Sequence, residues 1–447
     1  MNNLKVGFNR VNITPMLGIK VAGYYQTRIS DGILDQLEAN TVAFEVDGKR
    51  AVVVSADIIA LRAEVAQALK ESIVKTTGLD SDAIYLCATH THTGPILASD
   101  STDPLEQEYF TFFCHRITDS VRMAFSDLKD SKLGYAVGHA PNVAFVRRYR
   151  MKDGTIKTNP GVDNPDILEP AGAVDERVNV IRIDRDGADT VVIANFGNHP
   201  DVVGGCKISA DWPGFFRRTF EKAVDGVRCV FINGAQGDVN HVNVHPRGGD
   251  LNDMFIDFDD VARGYSHSEH IGRVVAAGVL QVYGKVKYID IDSINYGIRN
   301  VRIPSARPTA EELPEAKRIH ELHTTGRDSE IPFKGMMLTT VVAEAARMVR
   351  LENGPDYFDM YVSALRVGPL AFVGLPGEPF TGISTSIKDT EGFDLILPSC
   401  NTNASEGYFP MQSAYDEGGY EARSSRFRAG VAELIIAEGK KLLDTIH

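Results

Sequence analysis

What this sequence has little of already narrows its function. There are five cysteines, Cys87, Cys114, Cys206, Cys229 and Cys400, scattered and odd in number. None stands in a CxxC spacing, so neither a disulfide framework nor a cysteine-rich zinc site is expected. Most read as small buried hydrophobes. The opening residues, MNNLKVGFNRVNITP, have no apolar stretch of the kind that begins a secretory signal, and no apolar run is long enough to span a bilayer. Positive charge is in deficit: 47 Lys and Arg against 60 Asp and Glu leave a formal net charge of −13. Such a surface disfavours nucleic acid and anionic membrane as partners. No low-complexity block and no repeat of about 20–50 residues stands out. A reduced, cytoplasmic globular protein that does not insert into membrane is the expectation.

The rest of the composition is ordinary, with 43% hydrophobic and 24% charged residues in 447. The length suits one large domain or two average ones. No convincing boundary interrupts it; the weakest point is residues 303–307. One domain over 1–447 is therefore expected. Residues 41–59 read as two β-rich runs around Asp47-Gly48, a hairpin signal. Another strand pair turns at Asp186-Gly187. Helical spacing covers 63–77, 105–128, 212–223, 259–283, 308–325, 338–351 and 427–446, with a charged loop, GRDSEIPFKG, before the sixth. Strands and helices alternate throughout, which predicts an α/β fold: a mixed β-sheet core with flanking helices.

Several apolar strands finish in residues that can carry chemistry. CATHTHTGP follows AIYL and ends in His90 and His92. VVIANFGNHPD ends in His199. CVFINGAQGDVNHVNVH ends in Asp238, Asn240, His241 and His245, and LAFVGLPGEP in Glu378. Ligands gather at the carboxyl ends of strands in open α/β sheets. If the strand continued through them, His90 and His92 would share a face, because the side-chain period is two. Such a pair can hold one metal, or pair a ligand with a residue facing substrate. His199 alone would be an ordinary loop histidine. Glu378 suits equally a metal ligand and a cap for the helix that follows it. His241 and His245 fit loop polarity better than a second metal. His267 and His270 fit a solvated helix face or cap. NGAQGDV lacks the GKS/T ending of a phosphate loop, and no GxSxG elbow is present.

Taken in order, THTHTGP, NHPDVVGG, NGAQGDV, LPGEPFTG and NASEGYFP with YEA resemble the neutral/alkaline (non-lysosomal) ceramidase family, zinc amidases that cleave the N-acyl bond of ceramide. The resemblance runs from VNITP to the last helix and implies the ceramidase catalytic-domain fold. Residue by residue, it implies zinc held by His90, His199, Glu378 and Tyr408. It implies His92 and Tyr420 beside the scissile carbonyl, His92 as proton donor to the leaving amine. It matches Arg147, one residue from Arg148, to a substrate-binding arginine, and Asp211 to an aspartate without an assigned role. Zinc in such a set keeps a position open for water, which supplies the nucleophile.

The sequence also departs from that family. Asn240 stands where ceramidases have serine in GDVS, and HTHTGPILASD replaces HTHSGPGG. The resemblance covers the catalytic domain only, without the C-terminal β-sandwich of full-length ceramidases. These departures point to a smaller, more polar N-acyl substrate than ceramide, with Asn240 contacting it. Hydrolysis of ceramide itself, an esterase or lactonase on the same metal, and a ligand-binding protein without turnover are the alternatives. The sequence gives no oligomeric state.

Overall fold

The computed structural model describes residues 3–447. Two stacked sheets form the centre. The first contains β1 (Lys5–Asn12), β2 (Glu38–Val46), β3 (Lys49–Ala56), β4 (Ile84–Ala88), β5 (Lys129–His139), β6 (Arg177–Arg185), β7 (Thr190–Phe196), β8 (Val227–Asn233) and β9 (Lys287–Ile289). Its order is β8-β7-β6-β5-β1-β2-β3-β4, with β9 added on β5. The second runs β10 (Ile294–Pro304), β11 (Tyr357–Val367), β12 (Leu370–Gly374), β13 (Leu395–Ser399) in that order. Pairing is mixed, as the alternating pattern predicts. The pairs β3–β4, β7–β8 and β12–β13 are parallel, and the remaining pairs within these two sheets are antiparallel.

The strand sequences read as continuous apolar runs because both faces are covered. In β3, Ala51 and Val53 point inward against the second sheet, while Val52 and Val54 point out under helices. In β7, Val191 and Ile193 point inward, and Val192, Ala194 and Phe196 outward. In β12 the inward residues are Leu370 and Phe372, the outward ones Ala371 and Val373. Burying each such Val, Leu, Ile or Phe is worth about 1.5–3 kcal/mol.

Helices α1 (Ala63–Thr77) and α2 (Pro104–Ser126) cover one half of the first sheet's outer face. Helices α3 (Asp211–Ala223) and α4 (Tyr265–Tyr283) cover the other half. Helices α5 (Leu313–Thr324) and α6 (Gly335–Leu351) pack on each other. Helices α7 (Thr381–Lys388) and α8 (Val431–Ile446) cover the second sheet. Each expected helix is present, with shifted ends. The largest shift is in α4, expected from residue 259: Arg263 pairs with Asp259 at 2.7 Å, and residues 262–263 form a short β-bridge with 255–256, so the helix starts only after Gly264. The hairpin turn at Asp47-Gly48 is as expected, both residues having positive φ (48° and 81°).

Candidate active site

Each of the three parallel pairs is joined by a helix: β3-α1-β4, β7-α3-β8 and β12-α7-β13. The carboxyl ends of these strands meet, and the segments leaving them supply the site. β4 leads to His90 and His92, β7 to His199, and β12 to Glu378. The two-residue strand Glu378–Pro379 then pairs in parallel with Tyr408–Phe409, setting Glu378 opposite Tyr408.

His90 and His92 do converge, but not through strand periodicity. β4 stops at Ala88, and His90 has φ of 75°, in the left-handed region. The reversal at His90 turns both rings the same way. Their Nε2 atoms lie 3.3 Å apart, and His90 Nε2 lies 3.2 Å from His199 Nε2. The Glu378 carboxylate stands 3.4 Å from His90 Nε2 and 3.5 Å from His199 Nε2. Donors about 2.0–2.1 Å from a tetrahedral ion are separated by about 3.3–3.4 Å. The donor atoms of His90, His199 and Glu378 have that spacing.

Tautomers are fixed from behind. His90 Nδ1 lies 2.7 Å from the carbonyl of Ile59, and His199 Nδ1 lies 2.9 Å from that of Gln236. Each Nδ1 therefore donates to a carbonyl, and each Nε2 turns a lone pair inward. Asn401 Nδ2, 3.0 Å from His90 Nδ1, packs behind the same ring. Glu378 Oε2 is buried without a hydrogen-bond partner among the described residues. Burial opposes its ionisation, but charge on His90 and His199 when they are protonated, together with that of Arg147, outweighs it and holds Glu378 at about 2. An orphaned carboxylate oxygen facing two imidazole lone pairs fits a divalent cation. Glu378 is not a helix cap. Asp238 takes that role for α7, accepting from Thr381 N at 2.7 Å and Thr381 Oγ1 at 2.9 Å.

The three imidazoles also form a group by themselves, with ligand atoms all within 4.8 Å of one another. Two donor sets thus share His90 and His199, one completed by Glu378 and the other by His92. His92 differs from its neighbours behind the ring. Its Nδ1 faces Asp201 Oδ1 at 3.6 Å, beyond hydrogen-bond length, where the others meet carbonyls. Burial, with the charges of Arg263 and Arg28 close by, pushes His92 down to about 3 despite Asp201. At neutral pH its ring is therefore unprotonated in this environment.

No protein-family profile matches this sequence, and no curated protein matches it. Solved structures do. The neutral ceramidase from Pseudomonas aeruginosa aligns with a TM-score of 0.74 at 18% identity, over 99% of this chain and 74% of that chain. A ceramidase complexed with C2 aligns with a TM-score of 0.73 at 16% identity, over 99% of this chain and 75% of that one. This chain has the neutral ceramidase fold. The order of short motifs therefore implied the right architecture at an identity where the likeness speaks for fold.

On this ceramidase fold, a small cavity opens beside the imidazoles. His92, Arg147, His199, Asn240, Tyr408 and Tyr420 line it, so six of the eight expected site residues share one wall. Arg147, not Arg148, is the arginine that faces it. Its guanidinium lies 5.2 Å from the ring centre of Tyr408 and 5.8 Å from that of Tyr420, while its Nε lies 2.7 Å from Glu421 Oε1. Arg148 turns away to Gly418 and Glu417. Asn240 donates to Asn159 Oδ1 at 3.0 Å and accepts from Val242 N at 3.0 Å. Tyr420 is pushed up first by burial, then by the neighbouring Tyr25 and Tyr408, and stays a phenol.

Several residues of the site carried no role in the sequence reading. Asp201 follows His199 by two residues and receives Tyr24 Oη at 2.6 Å and both arms of Arg263 (Nε at 3.0 Å, Nη2 at 2.7 Å). Arg28 donates to the His92 carbonyl at 2.7 Å. Asp211 is a clamp for the segment leaving His199: it accepts from Val202 N, Val203 N, Trp212 N and Ser268 Oγ. The one available signal was NHPD, a charged residue beside a candidate ligand at a strand exit. His245 is exposed, 3.8 Å from Asp163, as loop polarity suggests. His241 is fully buried, so loop polarity does not explain it.

Proposed function

We propose that this protein is a metal-dependent hydrolase of a C–N amide bond, with zinc as the ion and a small, polar N-acyl compound as substrate. The observation that carries this reading is the 3.2–3.5 Å spacing of His90 Nε2, His199 Nε2 and Glu378 Oε2, with Tyr408 paired beside Glu378. Neutral imidazoles and carboxylate oxygen suit zinc, and a phenol oxygen completes four. The fold shared with ceramidases supports amide rather than other bonds. The mixed polar cavity, lined by Asn159, Asn240, Arg263 and Thr339 among others, supports a compact substrate.

Bound in this set, the ion supplies Lewis-acid polarisation and an acidified water. The protein's own residues supply proton transfer and orientation. His92, neutral through burial, takes a proton from the attacking water and returns it to the departing amine. Asp201, across the ring, steadies the imidazolium formed between those steps. Tyr420, a phenol at working pH, donates to the oxyanion that develops on the carbonyl. Arg147, held by Glu421, fixes both tyrosines.

The test is a set of variants assayed for metal content and for rates on N-acyl amines, N-acyl sugars, esters and short-chain ceramide. His90→Ala should lose the ion. His92→Ala should keep it and lose about 10²–10⁴-fold in kcat. A His92→Ala protein that loses the ion as completely as His90→Ala overturns the division of roles. Preference for esters over amides, or for ceramide over polar substrates, overturns the substrate assignment.

A further inference from the structure

A second group of imidazoles begins one residue after Asn240 in the sequence, at His241. His267 and His270 stand three apart on α4, on one side of the helix. The ring centres of His241 and His267 are 6.0 Å apart, and so are those of His267 and His270. All three line one small pocket, together with Asp250. His270 is exposed and His267 half-exposed, as a solvated helix face suggests, whereas His241 is buried, unlike an ordinary loop residue.

His241 repeats the arrangement of His90 and His199 with the nitrogens exchanged. It is 2% exposed, and its Nε2 donates to the Ala262 carbonyl at 2.8 Å. That fixes the tautomer and leaves a lone pair on Nδ1, which is buried and without a hydrogen-bond partner among the described residues. An unsatisfied buried nitrogen costs about 1–3 kcal/mol. His267 and His270 make ring contacts, and Asp250 acts on His267 electrostatically, with no hydrogen bond to either ring among the described residues. Asp250 accepts from Arg247 N and Asn243 Nδ2 on one oxygen, leaving the other open. Burial pushes His241 down to about 4 and lowers His267, so both rest in the neutral form that binds metal.

We propose that His241, His267 and His270, with Asp250 within reach, form a second site for a borderline divalent cation such as zinc, separate from His90, His199 and Glu378. Imidazole-rich donors select zinc, copper or nickel over calcium or magnesium. The ring spacing of 6.0 Å exceeds the 4.8–5.3 Å among the three imidazoles of the first site. Binding therefore draws the rings together, and the half-exposed His267 and exposed His270 are the ones free to turn. His241 stays fixed by its carbonyl. The bound ion would tie α4 to the strand exit that carries Asn240 and to the 250–263 segment that carries Arg263. It would be a brace for the substrate cavity, not part of the reaction.

The test is metal stoichiometry on the full chain, stripped with chelator and dialysed against zinc alone, with cobalt as a spectroscopic substitute. Wild type should bind two ions, and His90→Ala, His267→Gln and His270→Gln one each. Both glutamine variants replace residues at least partly exposed, and unchanged melting of the stripped protein verifies their fold. Loss of a ligand should weaken the second ion by more than about 100-fold, beyond the range of changes behind a ligand. A wild type that binds one ion, kept by His267→Gln and lost by His90→Ala, overturns the inference and leaves the catalytic reading intact. Two ions retained in both glutamine variants also overturn it. One ion lost in His267→Gln but kept in His90→Ala supports this site and defeats the catalytic one.

Discussion

Replacing Gly237 with alanine tests the position of Glu378 without touching any reactive group. A Cβ at Gly237 would stand 2.5 Å from the Glu378 carbonyl oxygen and 3.0 Å from that of Pro379. Ordinary contact begins at 3.4 Å, so the nearer atom must retreat by about 0.9 Å. It is backbone, tied to Gly407 by Glu378 N at 2.8 Å and to Gly237 N through Pro379 O at 2.9 Å, and cannot swing aside as a side-chain tip would. The φ of Gly237 is not in the left-handed region, so the effect is steric. Catalytic groups tolerate about 0.5 Å of misplacement, and about 1 Å costs on the order of 100-fold. Gly237→Ala should therefore lose about 100-fold in kcat or in zinc affinity. Overpacking costs about 1–3 kcal/mol, which leaves the protein folded. Gly284 is the control: an added Cβ there meets nothing within 4 Å, and its φ is −83°. Gly284→Ala should match wild type. The assay is zinc content and rate on the best N-acyl substrate, with thermal melting alongside. Full zinc and full rate in Gly237→Ala would refute the placement of Glu378 at the metal.

Three other perturbations follow from the same contacts. Arg217 is 2% exposed and grips the fully buried Asp57 at 3.0 and 2.5 Å, so Arg217→Met strands a carboxylate and should cost about 3–5 kcal/mol in urea unfolding; a loss below about 1 kcal/mol would show that the pair is solvated. Asn401→Ala removes the group packed behind His90 Nδ1 and should weaken zinc by about 10–100-fold, measured by chelator competition, with unchanged affinity speaking against that supporting role. Burial raises Asp211 from 3.8 to about 6 against four donors, so the folded state holds its proton more tightly than the unfolded state. The stability this gives is complete below about pH 4 and is lost as pH rises through about 6, roughly 3 kcal/mol in total. Wild type should fall more steeply than Asp211→Asn across that window in urea midpoints, and parallel profiles would contradict it.

Much of this was legible because the chemistry lies at strand exits. Histidines after apolar runs in AIYLCATHTH and VVIANFGNHP mark His90, His92 and His199 without knowledge of the fold. The apolar runs, split between inner and outer clusters, give the strands. Other features depended on distant partners. Sequence left Glu378 balanced between cap and ligand, and the balance is broken by Asp238, 143 residues from the Thr381 amide that it caps. Asp201 gains its meaning from Arg263, 62 residues on, and His241 from a helix that begins at Tyr265. Strand periodicity placed His90 and His92 on one side by the wrong route, since it cannot foresee a left-handed residue that is not glycine.

That left-handed residue explains why the site sits where it does. Among the described residues, His90, Asp211 and Asn401 adopt positive φ at 75°, 55° and 43°, one beside each of the three parallel strand pairs. For any residue but glycine the conformation is uncommon, and holding it costs on the order of 1–3 kcal/mol. Each is over-determined by what it holds: His90 by the Ile59 carbonyl and Asn401, Asp211 by two amides after His199, Asn401 by Ser405 and the His90 ring. A strand that simply ran on would carry its ligand past the sheet edge. At His90, two residues after β4, reversing the chain folds the ring back over that edge, where His199 reaches it. At His90 the left-handed conformation itself turns a candidate ligand toward His199, while Asp211 clamps the segment after His199 and Asn401 packs behind the His90 ring. Relaxing His90 should loosen donor spacing before it lowers global stability.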